Sequence, residues 1–109
     1  MKKMHGMNVF GYWKELPKET YDGLITDEYE DFTKFENTID KKCVIEHIES
    51  LGAWLCSVRS RDIFTGEEFN SGFYEDEEFH FPVDFLRYYK TRDIGIPYEY
   101  EEYLKTILK

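Results

Sequence analysis

The strongest constraint on this chain is a change of hydrophobic period at Gly52. Before that glycine, Val44, Ile45, Ile48 and Leu51 recur at steps of three and four, which draws one apolar stripe on a helix. Asp40 stands where an N-cap belongs, and Gly52 where a C-terminal glycine ends the run. After it the period becomes two. Trp54, Cys56 and Val58 alternate with Leu55, Ser57 and Arg59, which predicts a strand to about Asp62 with one side-chain set on the core. A chain that needs both periods in adjacent segments is neither a helical bundle nor a sandwich. With 109 residues it has room for one core, so residues 1–109 are expected to form a single α+β domain.

The flanking segments extend this frame. Val9, Phe10, Tyr12 and Trp13, set between glycines, suit a short strand or a docked N-terminal arm. From Thr20 to Ile39 the apolar residues Tyr21, Leu24, Ile25, Tyr29, Phe32, Phe35 and Ile39 step mostly by three and four, predicting a helix that breaks and restarts near Thr26 and Asp27. Thr65-Gly66-Glu67 is turn chemistry, and Phe69 to Phe81 reads as strands joined by a tight acidic turn, giving an antiparallel meander. Pro82 and Pro97 each open a helix. The first continues through Val83, Leu86 and Tyr89, and the second buries Tyr100, Leu104, Ile107 and Leu108. The expected architecture is a small antiparallel sheet flanked by helices.

Charge then bounds the function. Twenty-three acids against fourteen bases leave a formal charge of -9, which argues against direct nucleic-acid binding, since that affinity comes from Lys and Arg neutralising phosphates. The acids are also unevenly placed. Asp62, Glu67, Glu68, Glu75, Asp76, Glu77 and Glu78 fall within Asp62–Phe79, a stretch with no Lys or Arg, and Phe73 and Tyr74 lie among them. Such a one-sign ridge either stays solvated or meets a cationic partner, with the carboxylates taking Lys or Arg and the two aromatics serving as anchors. A second acidic stretch runs from Asp27 to Glu36.

Catalytic and metal chemistry are not expected. The acidic run lacks the alternate spacing and sixth-position glycine of a calcium loop. His5, His47 and His80 are scattered, with no cysteine at zinc-ligand spacing. No signature surrounds a cysteine–histidine pair, and no glycine-rich phosphate loop is present. No cofactor is implied, and the chain reads as a binding protein and not an enzyme. Cys43 and Cys56 are expected to be reduced, buried and inert. The opening residues form no apolar signal core and no run approaches a membrane span, so a cytoplasmic location is expected.

At Asp62-Ile63-Phe64-Thr65-Gly66-Glu67, at Phe81-Pro82-Val83-Asp84-Phe85-Leu86-Arg87-Tyr88-Tyr89-Lys90 and at Asp93-Ile94-Gly95-Ile96-Pro97-Tyr98-Glu99-Tyr100-Glu101-Glu102-Tyr103-Leu104, the sequence resembles a small uncharacterised bacterial family. The resemblance spans roughly Lys42 to Leu108 and leaves the N-terminal third uncovered. Small acidic proteins of this build are similar to immunity proteins of contact-dependent inhibition and related polymorphic toxin systems. That resemblance implies a cytoplasmic protein that binds and neutralises a cognate toxin, a basic nuclease domain being the partner that suits the charge. The alternative is a phage-type inhibitor whose acids imitate a row of nucleic-acid phosphates against a host defence nuclease.

Overall fold

The chain opens as a hairpin, which matches the short strand of the two sequence readings and not the docked arm. In the computed structural model, which describes residues 1–108, β1 (Lys2–Met4) pairs antiparallel with β2 (Met7–Val9) across a two-residue turn. Further strands are β3 (Trp54–Arg61), β4 (Glu68–Asp76) and β5 (Phe79–Pro82), and the helices are α1 (Tyr29–Phe32), α2 (Lys41–Leu51), α3 (Val83–Thr91) and α4 (Tyr98–Ile107). The sheet order is β1-β2-β5-β4-β3. The meander β3-β4-β5 is antiparallel as expected, but β2 lies parallel to β5, so the five-stranded sheet is only mostly antiparallel. No described helix is long and apolar enough to cross a membrane.

The α+β expectation holds, and α2 matches its sequence signals residue by residue. Asp40 accepts a hydrogen bond from the Lys42 N–H at 3.1 Å, Val44 and Ile48 are fully buried, and Gly52 ends the helix at φ 74°. A left-handed backbone there suits glycine. α3 and α4 begin directly after Pro82 and Pro97. Phe10, Phe32, Phe81, Phe85 of α3 and Tyr100 of α4 form a close aromatic cluster, with Phe10–Phe81 centroids 4.8 Å apart and Phe10–Phe85 edge-on at 5.2 Å. Edge-to-face and offset pairs of this kind add specificity to the area they bury.

Four expectations fail. The helix over Thr20–Ile39 is absent except for the single turn of α1. Asp22 and Gly23 take successive left-handed conformations, at φ 54° and 74°, which no right-handed helix accommodates. Backbone groups beyond them bond elsewhere: Thr26 N–H donates to Tyr12 O at 2.8 Å, and Asp27 O accepts from Lys14 N–H at 3.0 Å. The spaced aromatics of this loop reach the core individually. Second, β3 puts neither side-chain set on the core; every residue but Ser60 is exposed. It is the last strand of the sheet, and between Leu55 and Arg59 the register shifts so that Cys56, Ser57 and Val58 face only Ser71. Gly72 admits this path, because a Cβ there would meet Trp54 O and Leu55 Cα. Third, Cys43 and Cys56 are free but exposed. Fourth, Ile107 is 44% exposed at the end of α4, where the buried positions are Tyr100, Glu101 and Leu104.

Candidate interaction surface

β4 carries most of the predicted site and divides it. At about 3.3 Å per residue, the strand holds Glu67 and Glu68 at one end and Glu77 at the other roughly 30 Å apart. That is several Debye lengths of ~8 Å, so the seven acids make two separate clusters and not one field. Alternation along the strand divides the aromatics as well. Tyr74 and Asp76 face the helices, while Phe73 and Glu75 face outward.

Two of the acids are structural. Asp62 is buried in the β3–β4 turn, where Oδ1 accepts the Phe64 and Thr65 N–H groups at 2.8 and 2.9 Å and Oδ2 accepts Arg87 Nε at 2.8 Å. Burial alone would raise its carboxyl, but the Arg87 guanidinium and the two turn N–H groups outweigh that and hold it below the usual carboxylate range. Arg87 also donates to Glu67 at 2.9 Å. Asp76 is 5% exposed and receives three donors: His47 Nε2 at 2.8 Å, the Tyr100 hydroxyl at 2.7 Å and the Tyr103 hydroxyl at 3.1 Å. It ties β4 to α2 and α4. Burial and the neighbouring Asp76 carboxylate push the Tyr103 hydroxyl up to about 12, so it stays a donor.

The remaining acids are exposed. Glu68, Glu77 and Glu78 have no ion-pair partner among the described residues, and Glu75 contacts only His80, at 3.2 Å. Glu77 and Glu78 form the two-residue turn between β4 and β5, with Glu77 at φ 53°. Beside that turn Phe79, Tyr103 and Ile107 line an open depression of about 430 Å³. A larger depression of about 570 Å³ lies across α3, where Arg87 pairs with Asp62, Lys90 with Glu49, and Arg92 lies over the Phe64 ring. Tyr74, half-buried against Phe81, lines that second depression.

On the outer face four rings run across the sheet. Trp54 stacks toward Phe73 at 6.5 Å, Phe73 on His80 at 4.6 Å, and His80 on Tyr12 at 5.7 Å. At the Tyr12 end the row is closed by Tyr21, packed edge-on at 5.1 Å. At the Trp54 end it is open, and Trp54 is 65% exposed. Trp54 is the exposed ring that the sequence did not reveal; its place in an alternating run pointed to the core, and the edge position of β3 exposes it.

Glu75, His80 and Tyr12 also form a carboxylate–imidazole–hydroxyl chain, with Tyr12 Oη 2.7 Å from His80 Nε2. Such a chain resembles a nucleophile–base–orienter series. Here Tyr12 is 4% exposed and burial raises the pKa of its hydroxyl further, so the chain fastens the Tyr12 segment to β5. Among the described residues no three His, Cys, Asp or Glu side chains gather as a metal-binding group. Comparison with family models, curated proteins and solved structures returns no match.

Proposed function

We propose that this chain binds and neutralises a basic protein partner, acting as an immunity protein toward a toxin nuclease domain, through the outer face of β4 and the acidic turn that follows it. The observation that carries this reading is the open end of the aromatic row: Trp54 stands exposed and Phe73 half-buried beside it, on the face that carries Glu75, and Glu77 and Glu78, without ion-pair partners among the described residues, form the turn that ends the strand. Exposed tryptophan flanked by carboxylates is the composition of a binding hot spot for arginine or lysine, which can stack on the rings and pair with the acids. The acids steer the encounter, and the aromatics hold the complex. Glu68 and the Asp62–Glu67 turn, at the far end of β4, fall outside this patch, and Tyr74 and Asp76 face inward. Division of the acids into two ends also disfavours the phosphate-row alternative, which needs continuous carboxylates.

Co-expression with a panel of basic toxin nuclease domains tests the reading. A domain whose toxicity the chain suppresses should bind it directly in surface plasmon resonance. Glu75→Lys/Glu77→Lys/Glu78→Lys should slow association and flatten its salt dependence, whereas Trp54→Ala and Phe73→Ala should speed dissociation. Full protection by both the triple-lysine and the Trp54→Ala/Phe73→Ala variants at low expression would remove this face from the function.

A further inference from the structure

All three methionines of the chain fall within its first seven residues, and the fold brings two of them together. Met4 and Met7 are directly opposed across the β1–β2 hairpin, so both thioethers leave the same face of the ribbon. Between them His5 and Gly6 form the turn, with φ of 52° and 79°; the pair of positive values marks a tight hairpin turn that ordinarily takes Asn-Gly. Histidine is one of the non-glycine residues that tolerate a positive φ, so the turn can present an imidazole without strain. Met4, His5 and Met7 line one cavity of about 210 Å³, whose other walls are Val9, Leu24, Glu75 and His80.

We infer that this cavity is a Cu(I) site held by the Met4 and Met7 thioethers and the His5 imidazole. Thioether sulfur is a soft donor that favours Cu(I) over magnesium, calcium or manganese, which require oxygen ligands. Structural zinc takes four cysteine, histidine or carboxylate ligands, and this cavity lacks that set. The one carboxylate in the wall, Glu75, is engaged by His80 Nδ1, and His80 Nε2 is engaged by Tyr12, so both remain wall groups and not ligands. Val9 and Leu24 supply an apolar surround, which limits water at the metal. The inference does not rest on the partner proposed above, since its ligands are Met4, His5 and Met7 and Glu75 is shared only as a wall group.

Because Cys43 and Cys56 are exposed thiols that bind Cu(I) themselves, the experiment starts from the full chain carrying Cys43→Ser/Cys56→Ser. Under anaerobic conditions this protein should take one equivalent of Cu(I) from a colorimetric chelator. With methyl-labelled methionine and Ag(I) as the redox-silent substitute, the Met4 and Met7 resonances should shift while Met1 stays in place. Adding Met4→Leu/Met7→Leu, which conserves volume and should leave the fold unchanged by circular dichroism, should lower affinity by at least the roughly 100-fold that loss of a supporting outer-shell group can cost. His5→Asn, compatible with the positive φ, should weaken binding without disturbing the hairpin, and Glu75→Gln should leave it unchanged. No Cu(I) uptake by the cysteine-free chain, undiminished binding after Met4→Leu/Met7→Leu, or a shift confined to Met1 overturns the assignment.

Discussion

Asp76 separates the acids that build this fold from those that decorate it, and Asp76→Ala measures the difference. The substitution removes the acceptor of three donors at once. His47 and Tyr103 are only partly buried and recover water, so each forfeits a net hydrogen bond of about 0.5–1.5 kcal/mol. The Tyr100 hydroxyl sits on a residue with no exposed surface, and leaving it unpaired costs about 1–3 kcal/mol more. Together these give roughly 2–6 kcal/mol. That is a large fraction of the ~5–15 kcal/mol available to a domain. Urea denaturation should show a lower midpoint at unchanged slope. Glu77→Lys, one residue along, should stay within about 0.5 kcal/mol of the parent. A reversal of all four acids from Glu75 to Glu78 would destabilise the fold through Asp76 as well as change the surface charge. If Asp76→Ala cost under about 1 kcal/mol, the three-donor lock would not be a structural element and the argument from burial would fail.

In the core, Ile48→Ala should cost about 2–5 kcal/mol in the same assay, while Glu49→Ala, which loses only the half-exposed pair with Lys90, should cost under about 1 kcal/mol. Acid should destabilise the protein through Asp62 and Glu101. Burial would raise the Glu101 carboxyl, but Asn37, the Ile39 and Thr38 N–H groups and Lys105 outweigh it and hold it low. A depressed folded pKa contributes stability above the unfolded value, near 4 for a carboxyl, and that contribution disappears as pH falls through the folded value. Asp84 has the opposite sign. Burial raises it despite its bonds to Ser60 and Tyr21, so its contribution is present at low pH and is lost as pH rises through its folded value. Melting temperature from pH 7 to pH 2 should therefore fall below about pH 4, and Glu101→Gln should flatten the fall; an unchanged acid slope in that variant would contradict the assignment.

Where the sequence was legible, its signals were local. The Asp40 cap, the Gly52 stop, the prolines before α3 and α4 and the two-residue Glu77–Glu78 turn each depend on residues within one helical turn or one hairpin. The Thr20–Ile39 segment defeats the same logic because its apolar spacing reflects separate side chains reaching a core from a loop. Its backbone is satisfied by Tyr12 and Lys14 and by side chains such as Glu15, whose Oε1 accepts Tyr29 N–H at 3.0 Å. Periodicity reports where apolar groups fall, not where the N–H groups go. The candidate site shows the same limit. That Asp62 to Glu78 is acidic is plain in the sequence, but which carboxylates remain free depends on Arg87, His47, Tyr100 and Tyr103 arriving from elsewhere in the chain.

The two faces of β4 separate the residues that hold the fold from those of the proposed interface. Its inner residues, Tyr74 and Asp76, contact Phe81 and the donors from α2 and α4, so changing them changes stability. Its outer residues, Phe73 and Glu75, contact His80 and the open Trp54 edge, where the nearest helix gives no cover. Successive side chains on a strand point to opposite faces, so a substitution at an outer position leaves the inner contacts intact. The acidic turn extends that freedom, because Glu77 and Glu78 are fixed by backbone geometry and by the Asn8 N–H bonded to Glu78 O at 2.6 Å, not by their carboxylates. A surface built this way can change its charge and its aromatic anchors to suit a partner while Asp76, one residue away, keeps the sheet attached to its helices.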